Sequence, residues 1–204
     1  MSEHHNHPVR PKSPQQLRAE ALEAVLIERG LVSTDAVDAV VEAFQSEIGP
    51  QNGARMVARA WVDPEYRERM LTDGVAAASD FGFVGAEGEH LRVVENTPQV
   101  HNAIVCTLCS CYPWPVLGIP PVWYKSAPYR ARIVREPRTV LAEFGLELPE
   151  DVEIRVWDSS AEMRYLVLPM RPEGSEGMSE EELAGLVTRD CMIGVAVPRV
   201  EVPA

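Results

Sequence analysis

The chain has 204 residues, a formal net charge of −12 and 46% hydrophobic residues, which permits one or two small domains with a buried core. The acidic charge argues against nucleic acid as a partner, because phosphates are bound by lysine and arginine. The chain has no apolar run of about 18 residues, as a membrane-spanning helix requires, and its polar first residues lack the apolar core of a signal peptide. These features predict a cytoplasmic protein without a membrane partner, whose cysteines are thiols.

The first part of the chain is predicted to be helical after a disordered tail at residues 1–13. His4, His5 and His7 in this tail are candidate metal ligands, but polarity and position favour a solvated segment. Residues 14–81 are expected to form an extended helical arm that acts as a scaffold and docks a partner. Its predicted helices are 14–30 after the capping box Ser13–Gln16, 34–48 before the stop at Gly49–Pro50, 53–61, and a fourth that begins at Asp63–Pro64 and that residues 73–80 extend.

The composition changes near Gly82, where β-branched and alternating runs begin to predict strands. Residues 82–204 are therefore expected to form an α+β domain, so that the fold class is α+β with short strands. A stretch punctuated by prolines lies between the strands, and the capping box Ser179–Glu182 opens a short helix near the end. The predicted strands are 91–95, 103–105, 152–157 and 164–168.

Three of the four cysteines, Cys106, Cys109 and Cys111, stand within six residues in the pattern C-x-x-C-S-C. Cys109 and Cys111 are too close for an unstrained disulfide. Three thiolates and the two peptide nitrogens between them can supply five ligands to one ion and leave the sixth position open. Because a peptide nitrogen must lose its proton to bind, this set favours low-spin Co(III) or Fe(III). The alternative is structural zinc, which needs a fourth side-chain ligand from His101 or Cys191.

The loop from Val105 to Trp114, with the continuation to Lys125, resembles the α subunit of nitrile hydratase. The similarity covers about residues 14–197 and includes further segments in the same order. These are Glu47–Pro50, Ala60–Pro64, Val94–Thr97, Val134–Arg138, Val156–Ser160 with Glu162 and Arg164, and Leu186–Asp190.

The resemblance implies a metal centre with sulfur ligands from Cys106, Cys109 and Cys111 and backbone nitrogen ligands from Ser110 and Cys111. It implies that Cys109 is a sulfinate and Cys111 a sulfenate. Thr107 and Tyr112 are usual in cobalt-type members, whereas iron-type members carry serine and threonine there, so the resemblance favours one Co(III) per chain over iron. It further implies an obligate β subunit, whose arginines bind the oxidised sulfurs, and an activator protein that delivers cobalt.

The implied reaction is the hydration of a small-molecule nitrile to an amide. Cys111 and Ser110 are the expected catalytic residues, and two nucleophiles remain open. Either the sulfenate oxygen of Cys111 attacks the nitrile carbon, or an activated water attacks while Ser110 relays hydrogen bonds.

Residues outside the loop are candidates for supporting roles. Trp114 either lines the substrate pocket or packs the loop. Asp158, Glu162 and Arg164 are expected to orient the cysteine loop, the alternative for such a group being a surface turn with an ion pair. Glu87 stands where much of the family has glutamine, and it is either a base near the centre or a solvated charge. Cys191 replaces a more usual serine and is expected to be a small buried side chain.

Two rival functions remain open at this point. The γ subunit of thiocyanate hydrolase shares the cobalt loop; Cys191 favours this rival, whereas Trp114 disfavours it because that family tends to carry arginine there. The other rival is a non-catalytic module with zinc in the loop, which visible absorption distinguishes from a Co(III)–thiolate centre.

Overall fold

The computed structural model describes residues 14–35, 49–83, 90–109 and 111–200. The contacts divide the chain into two compact units, residues 1–43 and 44–204. In the first unit helix α1 spans Pro14–Glu28, and Gly30 follows with a φ of +64° while its N–H bonds to the Ile27 carbonyl at 2.9 Å. The predicted tail at 1–13 and most of the predicted helix at 34–48 lie outside the described residues.

The second unit alternates short helices with strands and is α+β, as predicted. No helix in the described ranges is long and apolar enough to cross a membrane. The elements are α2 (Pro50–Val62), α3 (Pro64–Thr72), α4 (Gly74–Ser79), β1 (Leu91–Glu95), β2 (Val100–Val105), α5 (Trp114–Leu117), a 3₁₀ helix (Val122–Lys125), α6 (Ala127–Arg132), α7 (Pro137–Glu143), β3 (Glu153–Asp158), β4 (Arg164–Leu168), α8 (Glu180–Gly185) and α9 (Arg189–Ile193).

Short polar side chains cap several helices of the second unit, and the starts at Asp63–Pro64 and Ser179 were predicted. The predicted start of α2 at Gly53 was wrong, because this helix begins at Pro50. Asp63 accepts hydrogen bonds from the amides of Glu65 and Tyr66, both at 3.0 Å, and α3 begins at the following proline. Asp73 accepts from the amide of Ala76 at 2.9 Å, so that α4 is a separate helix with its own cap and not an extension of α3. At α8 the capping box is complete, because Ser179 and Glu182 bond each other's backbone amides.

The four strands form two parallel pairs. Strand β1 pairs with β4, with Leu91 opposite Arg164 and Glu95 opposite Leu168. Strand β2 pairs with β3, with Val100 opposite Glu153 and Val105 opposite Asp158. Since parallel strands end at the same edge, the segments that follow Val105 and Asp158 begin side by side. The β2–β3 pair therefore brings the start of the cysteine loop next to Asp158.

Helices α2 to α4 pack in the same compact unit as the strands. Helix α2 contacts α3, α5, α8 and α9, while α3 and α4 lie against β1. Met56, Val57 and Ala58 of α2 are fully buried, as is Met70 of α3. The predicted division into an arm at 14–81 and a catalytic domain at 82–204 stays a prediction.

A buried polar network fixes the chain beside β2. His101 is 4% exposed; its Nδ1 accepts from the Asn96 amide at 3.3 Å and its Nε2 donates to the Gly194 carbonyl at 2.8 Å. This pattern assigns a neutral tautomer, and burial lowers the pKa of His101 despite the opposing effect of its bond to Gly194. Gly194 has a φ of +90°, and a Cβ at this position would overlap the Asn102 carbonyl oxygen.

Candidate metal centre

The cysteine loop leaves the carboxyl end of β2 and gathers three sulfur atoms. Cys106 is fully buried, Cys111 is half-buried and Cys109 is exposed. The Cys109 Sγ lies 3.3 Å from the Cys106 Sγ and 3.1 Å from the Cys111 Sγ, and all three sulfur atoms lie within 4.8 Å of one another. This group could hold one metal ion.

The Cys111 thiol does not lose its proton easily without a cation. Burial raises the pKa of the Cys111 thiol to about 12; its hydrogen bond with Cys109 and the nearby Cys106 act in the same direction, while Arg164 acts against them. A bound cation of high charge would instead lower the pKa of the thiol, because a thiol that ligates a metal loses its proton. The donor set therefore fits a soft, highly charged ion.

Side chains from three other segments hold the loop backbone. The Asp158 carboxylate, at the end of β3, accepts from the Thr107 amide at 2.9 Å and from the Thr107 hydroxyl at 2.5 Å. The Tyr124 hydroxyl donates to the Cys111 carbonyl at 3.1 Å, and Arg130 Nη1 donates to the Cys109 carbonyl at 3.2 Å.

An aromatic cluster lies behind the loop and fixes these contacts. Tyr112 and Tyr124 are fully buried, with ring centroids 5.1 Å apart. Burial raises the pKa of Tyr124, so that its hydroxyl keeps the proton that it donates to the loop. Tyr129 of α6 packs edge-on against Trp123, with ring centroids 4.9 Å apart. The Tyr129 hydroxyl donates to the Ile104 carbonyl in β2 at 2.8 Å.

The remaining predicted site residues are distributed around the loop. Trp114 begins α5 and is 39% exposed. Arg164 begins β4 and donates to the carbonyls of Ser160 and Ala161 at 2.5 and 2.6 Å, while Glu162 accepts from the Ser160 hydroxyl at 2.9 Å. Their roles in catalysis stay predictions.

Two predicted residues, Ser110 and Glu87, lie outside the described residues.

The two side chains that could complete a structural zinc site are engaged elsewhere. His101 belongs to the buried network beside β2. Cys191 lies in α9, where it is buried and its Sγ is 3.2 Å from the Thr188 hydroxyl. Among the described residues the cluster of possible metal ligands comprises the three loop cysteines. A four-residue tetrahedral site is therefore not assembled in this part of the chain.

The fold and the loop define a subunit built around a candidate thiolate metal centre, and comparisons with known proteins specify its family. The family model described as nitrile hydratase, alpha chain, matches residues 13–196. The low-molecular weight cobalt-containing nitrile hydratase subunit alpha of Rhodococcus rhodochrous is 59% identical over 190 residues, which cover 92% of both chains. The chain belongs to the nitrile hydratase alpha-chain family.

Two further matches describe the range of this similarity. A double mutant of the Fe-type nitrile hydratase from Comamonas testosteroni Ni1 superposes with a TM-score of 0.88 at 45% identity, covering 96% of this chain and 98% of that chain. The thiocyanate hydrolase subunit gamma of Thiobacillus thioparus is 47% identical over 190 residues, covering 88% of this chain and 78% of the relative.

Proposed function

We propose that this chain is the alpha subunit of a cobalt-dependent nitrile hydratase, which converts nitriles to amides. The observation that carries the proposal is the cluster of three sulfur atoms within 4.8 Å, in a loop that belongs to this family. Cobalt is favoured over iron because the relative at 59% identity is named cobalt-containing, whereas the Fe-type structure is 45% identical. Thr107 and Tyr112 support the same choice.

The ion would be held by the sulfur atoms of Cys106, Cys109 and Cys111 and by the backbone nitrogens of Ser110 and Cys111. When bound, trivalent cobalt supplies Lewis acidity to the open site. The reaction adds the oxygen of water to the nitrile carbon and both hydrogens to the nitrogen, so that no atom is lost.

The residues of the chain hold the substrate and move its protons. Cys109 is a sulfinate and Cys111 a sulfenate in the active enzyme, and Ser110 relays a proton during the addition. Trp114 offers an apolar wall to the nitrile. Asp158 orients the loop through Thr107.

Glu162 and Arg164 order the segment before β4. Glu87 is either a base in the reaction or a solvated charge. Single turnover in isotopically labelled water distinguishes the nucleophiles, because a sulfenate oxygen gives unlabelled amide in the first turnover.

A beta subunit completes the site. Oxidised sulfurs carry negative oxygens that are costly to bury unpaired, and arginine binds such oxygens in pairs. Arg132 is bound to Glu136 and Glu143, and Arg135 donates to the carbonyl of Ala131 in the preceding turn. We expect the partner's arginines to supply the compensation. The alternative within the chain is Arg164, which is close enough to lower the pKa of the Cys111 thiol.

Exposed apolar side chains in each of the two units support docking of the beta subunit. Leu108 in the loop and Val122 after it are 87% and 86% exposed. Leu17 and Leu22 on α1 are also exposed, which supports docking of the helical arm. An activator protein delivers cobalt, and the thiol ligands favour a cytoplasmic location.

Co-expression with the gene of the neighbouring subunit in cobalt medium tests the proposal. The purified complex should contain cobalt, absorb visible light and hydrate nitriles, and the chain alone should not. Hydrolysis of thiocyanate without nitrile hydration would assign the chain to the thiocyanate branch. A colourless zinc-containing complex without either activity would contradict both enzymatic functions.

A further inference from the structure

Arg130, which the sequence did not identify, donates a side-chain hydrogen bond to the backbone of the cysteine loop. It lies on α6, and its Nη1 donates to the Cys109 carbonyl at 3.2 Å. Helix α6 is well anchored, because the Ser126 side chain caps it and the neighbouring Tyr129 bonds to β2. The guanidinium of Arg130 is therefore presented to the loop from a fixed element.

Other arginines near Arg130 in sequence are bound to groups outside the loop. Arg132 forms ion pairs with two glutamates, and Arg138 donates to the carbonyls of Leu148, Pro149 and Val152. Arg130 has no carboxylate partner within the part of the chain that the structure describes, and its buried Nε has no acceptor there. Arg130 thus keeps both its charge and donor capacity for the loop.

The bond partner of Arg130 has a specific chemical meaning. The Cys109 carbonyl belongs to the same peptide bond as the amide nitrogen of Ser110, which is a metal ligand in the proposed function. A peptide nitrogen ligates without its proton, and the resulting negative charge is shared with the carbonyl oxygen of that peptide. A guanidinium hydrogen bond to this oxygen both orients the planar peptide group and compensates its charge.

We propose that Arg130 is a positioning residue that stabilises the Cys109–Ser110 peptide in its nitrogen-ligating form. This inference rests on the proposed function, since it needs the Ser110 nitrogen as a ligand. It assigns to the chain itself part of the charge compensation that the partner's arginines provide for the oxidised sulfurs. Arg130 acts on the backbone donor, and the partner acts on the sulfur oxygens.

The test compares Arg130→Gln and Arg130→Lys in the co-expressed, cobalt-grown complex. Gln can donate a hydrogen bond but carries no charge, whereas Lys keeps the charge and loses the planar fork. Arg130→Gln should lower cobalt content, shift the visible absorption band and reduce kcat by about tenfold, while KM changes far less. Arg130→Lys should shift the band less and retain more cobalt.

Arg135→Gln is the matched control, because Arg135 is exposed one turn further along and bonds only to the Ala131 carbonyl among the described groups. It should leave the band, cobalt content and kcat unchanged. An assembled Arg130→Gln complex with the wild-type band and cobalt content would overturn the inference. If that variant does not assemble, the Arg130→Lys complex decides, since an unshifted band contradicts the contact. A wild-type complex without cobalt or nitrile hydration would instead overturn the proposed function.

Discussion

Two neighbouring tyrosines allow a direct test of how the loop is held. The variant Tyr124→Phe removes the hydroxyl that donates to the Cys111 carbonyl at 3.1 Å but keeps the ring in the aromatic cluster. The loss of one buried hydrogen bond costs about 1 kcal/mol in unfolding free energy. For a chain of this size that corresponds to a fall in Tm of about 2–4 °C.

Tyr112→Phe is the matched control for this experiment. Tyr112 is equally buried, but its hydroxyl has no hydrogen-bond partner among the described groups. Its removal should change stability by less than about 0.5 kcal/mol, or stabilise slightly, because an unpaired buried hydroxyl is itself costly.

The measurement is thermal unfolding of both variants at equal cobalt content and in the same assembly state. Only Tyr124→Phe should also lower kcat. An equal loss of Tm in both variants would show that the aromatic packing, and not the bond to Cys111, holds the loop.

Three further predictions concern the ligands, the loop anchor and the buried network. Cys106→Ser, Cys109→Ser and Cys111→Ser should each abolish cobalt binding and activity, whereas Cys191→Ser should retain both; metal analysis that finds full cobalt in a loop variant refutes that ligand. Asp158→Ala should lower cobalt affinity or activity by about 10–100-fold, and Glu153→Ala on the same strand, which removes only the ion pair with Arg155, should not. Gly194→Ala should destabilise the chain by at least about 1–3 kcal/mol, as measured by denaturant unfolding, because of its positive φ and the overlap with the Asn102 carbonyl. Gly185→Ala, where a Cβ meets open space, should be neutral, and equal stability of the two variants would contradict this argument.

Two helix starts of the second unit and the strand positions were largely predictable because their signals are local. Asp63–Pro64 and Ser179–Glu182 carry the cap and the first turn in adjacent residues. Strands β1 and β4 match the predicted bounds. Strand β2 begins three residues earlier than predicted, because His101 and Asn102 are polar and do not fit an apolar strand pattern. Both side chains are nevertheless buried and hydrogen-bonded to groups that are distant in the sequence. A local pattern cannot reveal partners such as Gly194.

The clustering of the three loop cysteines was predictable from the sequence, whereas the side chains that hold the loop were less so. The spacing C-x-x-C-S-C is enough to bring three sulfurs together. Asp158 was predicted near the loop from family resemblance, but its contact with Thr107 follows from the parallel register of β2 and β3, which local sequence does not specify. Arg130 was missed because its contact is to a backbone carbonyl. Every residue has such a carbonyl, so the sequence does not indicate which one an arginine contacts.

The most direct test of the central claim is the rate of amide formation by the purified complex as a function of its bound cobalt. Preparations with graded cobalt content should hydrate a nitrile at rates proportional to cobalt, with no activity at zero cobalt. Amide formation that does not depend on cobalt, or a fully cobalt-loaded complex that hydrates no nitrile, would contradict the account.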